Sequence, residues 1–279
     1  MSDQLSKTRA GGRHRAKKSF GQNFLVDSRI IERIVNELAP RADETIVEIG
    51  AGQGALTSHV ARRAGKLFAV EFDRDLVPVL RDKFAAQENL TVVEADALEV
   101  EFCRLIEPAE TARVVANLPY NISTAILQRL IAQRACLPEM FLMLQREVAE
   151  RVVAAPGASG RGFLSVLVEA YCEADILFDV APEAFRPVPK VWSTVVRLSA
   201  RPQINFENED LMWQTVSAGF AQRRKTIFNN LRAASPDLRT RIEEAGGAEQ
   251  ILFQSDIALQ RRAETLTLDE WTRLVAALS

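Results

Sequence analysis

From residue 45 onward, short apolar runs alternate with amphipathic stretches, and this rhythm predicts parallel β-α-β units. TIVEI (45–49), LFAVEF (67–72), LTVVEA (90–95), RVVAN (113–117) and MFLMLQ (140–145) read as buried strands. Helices are expected at about 53–64 and 74–86 and over ILQRLIA (126–132). Apolar runs near 176–180 and 193–198 flank the Pro-rich APEAFRPVPK and would complete a seven-stranded sheet as an antiparallel pair. Ahead of the sheet, Asp27 or Ser28 can cap a helix whose Ile30, Ile31, Ile34, Val35 and Leu38 keep helical spacing, with Pro40 just beyond. After ARPQINFENED (200–210) the pattern is helical only. Ser235 with Pro236 opens one helix that Gly246 and Gly247 stop, and Thr267-Leu-Asp-Glu270 is a capping box for the last. The expected division is a basic arm over 1–18, an α/β domain over 19–204 and a helical domain over 205–279.

The 279 residues suffice for such a pair of domains without a metal or disulfide staple. No apolar run approaches a membrane span, and the basic N-terminus lacks the apolar core of a secretory signal. Cys103, Cys136 and Cys172 are odd in number and share no C-x-x-C spacing. With only two histidines, they argue against a metal site and for a reducing, cytoplasmic compartment. Net charge is near zero, at 35 Lys+Arg against 37 Asp+Glu, but it is unevenly placed. Residues 1–18 carry Arg15, Lys17 and Lys18 among six basic residues against Asp3 alone, and QRRKTIFNNLR (222–232) carries Arg223, Arg224 and Lys225 with no acid. A phosphate backbone responds to such local patches within a Debye length. A solvated tail and helix face would read the same way.

The chemistry gathers at the ends of the expected strands. EIGAGQGALT (48–57) places Gly50, Gly52 and Gly54 between a strand and a helix, where a ligand can lie against main-chain N–H groups. Glu71 lies 71 − 50 = 21 residues beyond Gly50, at the next strand end, where a carboxylate can hold a ribose diol. Gly50-x-Gly52-x-x-Ala55 also fits a dinucleotide loop, so the loop alone does not choose a cofactor. Asp96, at a third strand end, could accept from an adenine amine. The series Gly loop, Glu71, Asp96 suits a nucleoside cofactor without a pyrophosphate, S-adenosylmethionine.

Asn117-Leu118-Pro119-Tyr120 follows the fourth strand. An exocyclic adenine amine is a poor nucleophile because its lone pair is delocalised into the ring. The amide oxygen of Asn117 and the Leu118 carbonyl, left free by Pro119, could both accept from that amine and draw its lone pair out of conjugation. Tyr120 offers a face for an extruded base. A sulfonium is already an activated methyl donor, so alignment and electrostatics suffice.

KKSFGQNFL (17–25), EIGAGQGALT, VEFDRDL (70–76), EADAL, NLPYNIST, MLQREVAERV (143–152), AFRPVPKVWSTVVRL (184–198) and FAQRRKTIFNNL (220–231) together resemble the small-subunit rRNA adenine N6,N6-dimethyltransferases. The resemblance runs from about residue 11 to the C-terminus. It implies a class I methyltransferase, α/β and Rossmann-like with a mostly parallel seven-stranded sheet, followed by a small all-helical domain. It also implies dimethylation of two adjacent adenosines near the 3′ end of 16S rRNA in an immature small subunit, by a monomer. Cofactor contacts carried over by motif are Gln22, Asn23, Leu25, Gly50, Glu71, Asp96 and Asn117. The target base would lie between Tyr120 and Phe185. Two alternatives stay open at this level: a 23S rRNA adenine methyltransferase of the resistance type, and an RNA-binding assembly factor with secondary catalysis. A dehydrogenase is disfavoured by Asp96 and by the lack of a hydride or proton relay.

Overall fold

A computed structural model describes residues 22–201, 206 and 208–278. The basic arm with Arg15, Lys17 and Lys18, and the expected boundary at 204–205, lie outside the described residues. The strands are β1 (Phe24–Leu25), β2 (Thr45–Ile49), β3 (Lys66–Glu71), β4 (Leu90–Glu94), β5 (Arg113–Asn117), β6 (Glu139–Gln145), β7 (Cys172–Val180), β8 (Phe185–Arg186) and β9 (Ser193–Ala200). Seven of them form one sheet in the order β4-β3-β2-β5-β6-β9-β7. The first five of that order pair in parallel, and β9 runs antiparallel to both β6 and β7. The chain leaves β2 toward β3 on one side and returns as β5 on the other. The crevice of an open α/β sheet therefore falls at the carboxyl ends of β2 and β5.

The central strands are apolar on both faces because helices cover both. Val47, Ile49, Val114, Ala116, Leu142 and Leu144 pack on one side with Ile126, Leu127 and Leu130 of the helix Ser123–Ala132. Ile46, Val115, Phe141 and Met143 pack on the other with Ile31, Ile34, Val35 and Leu38 of the helix Ser28–Leu38. Asp27 caps that helix by accepting from Arg29 N at 2.9 Å. Ala39 closes it in the left-handed region, returning its N–H to Val35 O at 2.9 Å.

Beyond β9 the described residues are helical. Glu209–Phe220, Ile227–Arg232, Pro236–Glu244, Ala248–Gln254 and Leu268–Ala276 surround a third core centred on the fully buried Trp271. The capping box forms in both directions, Thr267 N to Glu270 Oε2 at 2.8 Å and Glu270 N to Thr267 Oγ1 at 3.2 Å. The helical part is fastened to the sheet part. Arg161, 1% exposed, donates to Ala154 O and across to Leu266 O at 3.2 Å, and Gly157 N donates to Glu264 O at 2.8 Å.

Several expectations need correction. The helix expected over 53–64 is only Thr57–Val60, because the positive φ of Gly50, Gly52 and Gly54 keeps the preceding loop coiled. The helices Arg146–Val152 and Phe163–Tyr171 and the short antiparallel pair β1–β8 have no counterpart in the sequence reading. Cys103 and Cys136, expected as unpaired thiols, are joined in a disulfide, and Cys172 is buried and free.

Candidate active site

The loop after β2 is shaped by its glycines. Gly50 (φ +73°) donates its N–H to Val70 O at 2.9 Å, and a Cβ there would sit 3.5 Å from the Asn117 carbonyl. Gly52 (φ +58°) lies under the Phe24 ring, which a Cβ would meet at 3.1 Å. Gly52 N donates to Glu71 Oε2 and Asp73 N to Glu71 Oε1, each at 2.8 Å. The carboxylate is thus fixed by two backbone donors, and each oxygen keeps a lone pair for a further donor. Gly54 has a different part: its missing Cβ leaves room for the Phe84 ring, which would otherwise be 2.6 Å away. It lines neither cavity at the strand ends and is removed from the cofactor contacts.

A cavity of about 260 Å³ opens at this edge. Gln22, Asn23, Phe24, Gly50, Gly52, Glu71, Asp96, Asn117, Leu118, Pro119 and Tyr120 all line it, drawn from four strand ends and the segment that leads into β1 and opens it. Gln22 Nε2 donates to Asp73 Oδ2 at 2.9 Å, and Asp73 is 1% exposed. Asp96 Oδ1 accepts from Leu98 N at 2.9 Å, and among the described residues none donates to Oδ2. Apart from Asp73 and Asn121 the remaining walls are apolar, with Phe72, 55% exposed, and Leu98, Ile122 and Ile126 among them. An acid for a diol, a second acid for an amine and an apolar slot between them fit the nucleoside of S-adenosylmethionine. Phe72, Asp73, Leu98 and Ile122 were not singled out from the sequence. The first two directly follow Glu71, and that adjacency is the signal that could have found them.

Asn117 stands at the carboxyl end of β5. Its Nδ2 donates to the Asn23 carbonyl at 3.0 Å. A carbonyl can only accept, so this bond turns the amide so that Oδ1 is the group left to face a ligand. Leu118 buries its side chain, at 1% exposure, and donates its N–H to Met143 O at 3.2 Å. No described backbone N–H ends on the Leu118 carbonyl. Ile122 N bonds Pro119 O instead, at 3.2 Å, and Pro119 has no N–H of its own. Asn117 does not cap the following helix, whose N-cap is Ile122. Tyr120 is half-buried, and its hydroxyl lies 2.8 Å from Ser193 Oγ. Burial pushes its phenol above the ordinary value, which keeps it neutral.

Two expected residues are placed elsewhere. Leu25 and Phe185 oppose each other in the β1–β8 pair and are 6% and 0% exposed within the second core. Leu25 lines only a smaller cavity of about 40 Å³ beneath Gly50 and Asn117, and Phe185 lines neither. In this pairing it is Arg186 that is exposed, so the Phe185 ring has no face to offer a base. Glu48 also borders the small cavity, 2% exposed with Oε2 unbonded, and burial pushes its carboxyl up to about 8. In the basic cluster Arg223, Arg224 and Lys225 are all exposed, and Arg223 also donates to Ser159 O at 2.6 Å, which helps join the two parts of the molecule. Among the described residues, no three His, Cys, Asp or Glu side chains converge in a metal-binding group.

The family profile described as ribosomal RNA adenine dimethylase matches residues 13–274. Ribosomal RNA small subunit methyltransferase A of Hahella chejuensis is 41% identical over 263 residues, covering 94% of this chain and 92% of the relative. The protein of that name from Chromohalobacter salexigens is 43% identical over 267 residues, covering 94% and 90%. Among solved structures, a dimethyladenosine transferase from Plasmodium falciparum superposes with a TM-score of 0.76 at 23% identity, covering 90% of this chain and 95% of its own. The 23S rRNA methyltransferase ErmE gives 0.66 at 28% identity, covering 92% and 99%. The nucleoside-shaped crevice, the Asn-Leu-Pro-Tyr corner and the match over nearly the whole chain lead to one assignment: this chain belongs to the ribosomal RNA adenine dimethylase family and is an S-adenosylmethionine-dependent methyltransferase.

Proposed function

We propose that this protein converts two adjacent adenosines near the 3′ end of 16S rRNA to N6,N6-dimethyladenosine, acting as a cytoplasmic monomer on an immature small ribosomal subunit. The observation that carries the chemistry is the orientation of Asn117. With Nδ2 committed to Asn23 O, Oδ1 and the neighbouring Leu118 carbonyl form a pair of acceptors for an N–H group. S-adenosylmethionine supplies, when bound, a methyl group already activated on a sulfonium. Glu71 would hold the ribose diol and Asp96 the adenine amine of that cofactor. Gln22 and Asn23 would close its near side, with Gly50 and Gly52 beneath it.

Two acceptors on the target amine align its lone pair with the incoming methyl group, and the proton then lost from the cationic nitrogen can pass to solvent. Such alignment replaces a strong general base. The ring of Tyr120 supports the extruded base. A single-stranded or flipped adenosine is required, since no side chain here can reach N6 inside a duplex. Arg224 and Lys225 supply phosphate contacts on the helical part.

The small-subunit assignment is supported by relatives more than 40% identical that bear that name, against 28% identity for the 23S enzyme. The cytoplasmic placement follows from that substrate. No helix of the described residues is long and apolar enough to cross a membrane. Nucleoside mass spectrometry of rRNA from cells lacking the protein tests the proposal. Dimethyladenosine should vanish from 16S rRNA and be unchanged in 23S rRNA. Its persistence in 16S rRNA would refute the assignment.

A further inference from the structure

Ser193 is the first residue of β9 and has no exposed surface. It pairs in register with Gln145 of β6 on one side and Val180 of β7 on the other, so its backbone is held from both flanks. That register places it at the same sheet edge as Asn117, whose partner Met143 lies two residues before Gln145. Its hydroxyl meets the Tyr120 hydroxyl at 2.8 Å, across 73 residues of sequence. Tyr120 otherwise sits in a turn between β5 and the helix Ser123–Ala132, with no regular hydrogen-bonded ladder to hold it.

We infer that Ser193 is a positioning residue for methyl transfer, anchoring the Tyr120 ring so that the target adenine stacks in line with Asn117 Oδ1 and the Leu118 carbonyl. The inference rests on the base-stacking role proposed above for Tyr120. A bond at the para position fixes the direction of the ring axis, and the ring has only two side-chain torsions to restrain. A buried serine held between two strands is a rigid anchor, whereas water at the same position would move with solvent. Misplacing a reacting group by about 1 Å can cost up to about a hundredfold in rate. The bond itself, neutral on both sides, is worth about 1 kcal/mol, or about fivefold. Ser193 therefore acts through geometry and does not touch the reacting atoms.

The test is a double-mutant cycle read by single-turnover methylation of undermethylated small subunits, with cofactor affinity measured in parallel by calorimetry. Ser193→Ala and Tyr120→Phe should each lower the maximal rate by about five- to tenfold, with S-adenosylmethionine affinity unchanged. The double variant should be no slower than either single one, and Ser193→Thr should recover most of the rate. Tyr120→Phe removes the bond from its half-buried end, so the cycle stays informative if Ser193→Ala folds poorly. Losses that multiply in the double variant, or single variants at the wild-type rate, would overturn the inference. Tyr120→Ala separates the two levels. If it is slow while Tyr120→Phe and Ser193→Ala are at the wild-type rate, only the anchoring fails. If Tyr120→Ala is itself at the wild-type rate, the stacking role fails and the anchoring with it.

Discussion

At the residue scale the site depends on side chains whose second bond is already spent. Asn117 gives its Nδ2 to Asn23 O and Glu71 takes two backbone N–H groups, so each presents one defined face to a ligand. Glu48 is the opposite case, a buried carboxyl with an unbonded oxygen. Its ordinary value is 4.5, and burial, reinforced by the nearby charge of Glu71, raises it to about 8 in the folded protein. Between those values the folded state holds a proton that the unfolded chain has released, so stability falls as pH rises through the window. The slope from this one group is at most about 1.4 kcal/mol per pH unit. Glu48→Gln keeps the shape and removes the titration. Denaturant unfolding of the cofactor-free protein should give nearly equal stabilities at pH 5, with the Gln variant gaining progressively toward pH 8. Parallel pH profiles for the two proteins would show that Glu48 is ionised throughout.

At the element scale, β2, β3, β5 and β6 were legible because each is a nearly unbroken apolar run, mostly buried between the two helix layers. The Gly loop was legible as a motif, but not in its division of labour. Gly50 and Gly52 face the cavity, whereas Gly54 makes room for Phe84, a residue thirty positions on whose approach no local pattern reveals. The β1–β8 pair was illegible for a similar reason. Two-residue strands carry no period, and they meet only because Leu25 and Phe185 are drawn into one core. That burial is also why Phe185 was misplaced: its family motif argued for an exposed ring. Gly54→Ala should cost about 2–3 kcal/mol or more, from the left-handed φ together with the 2.6 Å approach to Phe84. Gly160→Ala, with open space at the Cβ, should stay within about 0.5 kcal/mol of wild type. Chemical denaturation of the two variants checks both, and equal stabilities would contradict the packing role of Gly54.

At the scale of the whole molecule, a helical unit is clamped to the methyl-transfer sheet through Arg161, Gly157 and Arg223. This divides the basic cluster by function. Arg224 and Lys225 are free to meet phosphate, and reversing both charges should reduce the salt slope of RNA binding by about 0.7 log units per lost contact on single strands. Arg223→Ala should instead act mainly on the junction with Ser159 and leave that slope nearly unchanged. Binding isotherms at several salt concentrations distinguish the two, and equal slope changes would return Arg223 to the RNA surface. In the mechanism proposed above, the Asn117 amide oxygen and the Leu118 carbonyl hold the adenine amine for two successive transfers. Single-turnover methylation of undermethylated small subunits, with mono- and dimethyladenosine separated chromatographically, tests it most directly. Wild type should yield dimethyladenosine. Asn117→Ala should yield neither product while still binding S-adenosylmethionine, and Asn117→Asp should accumulate monomethyladenosine. Dimethyladenosine formed by Asn117→Ala at the wild-type rate would contradict the account.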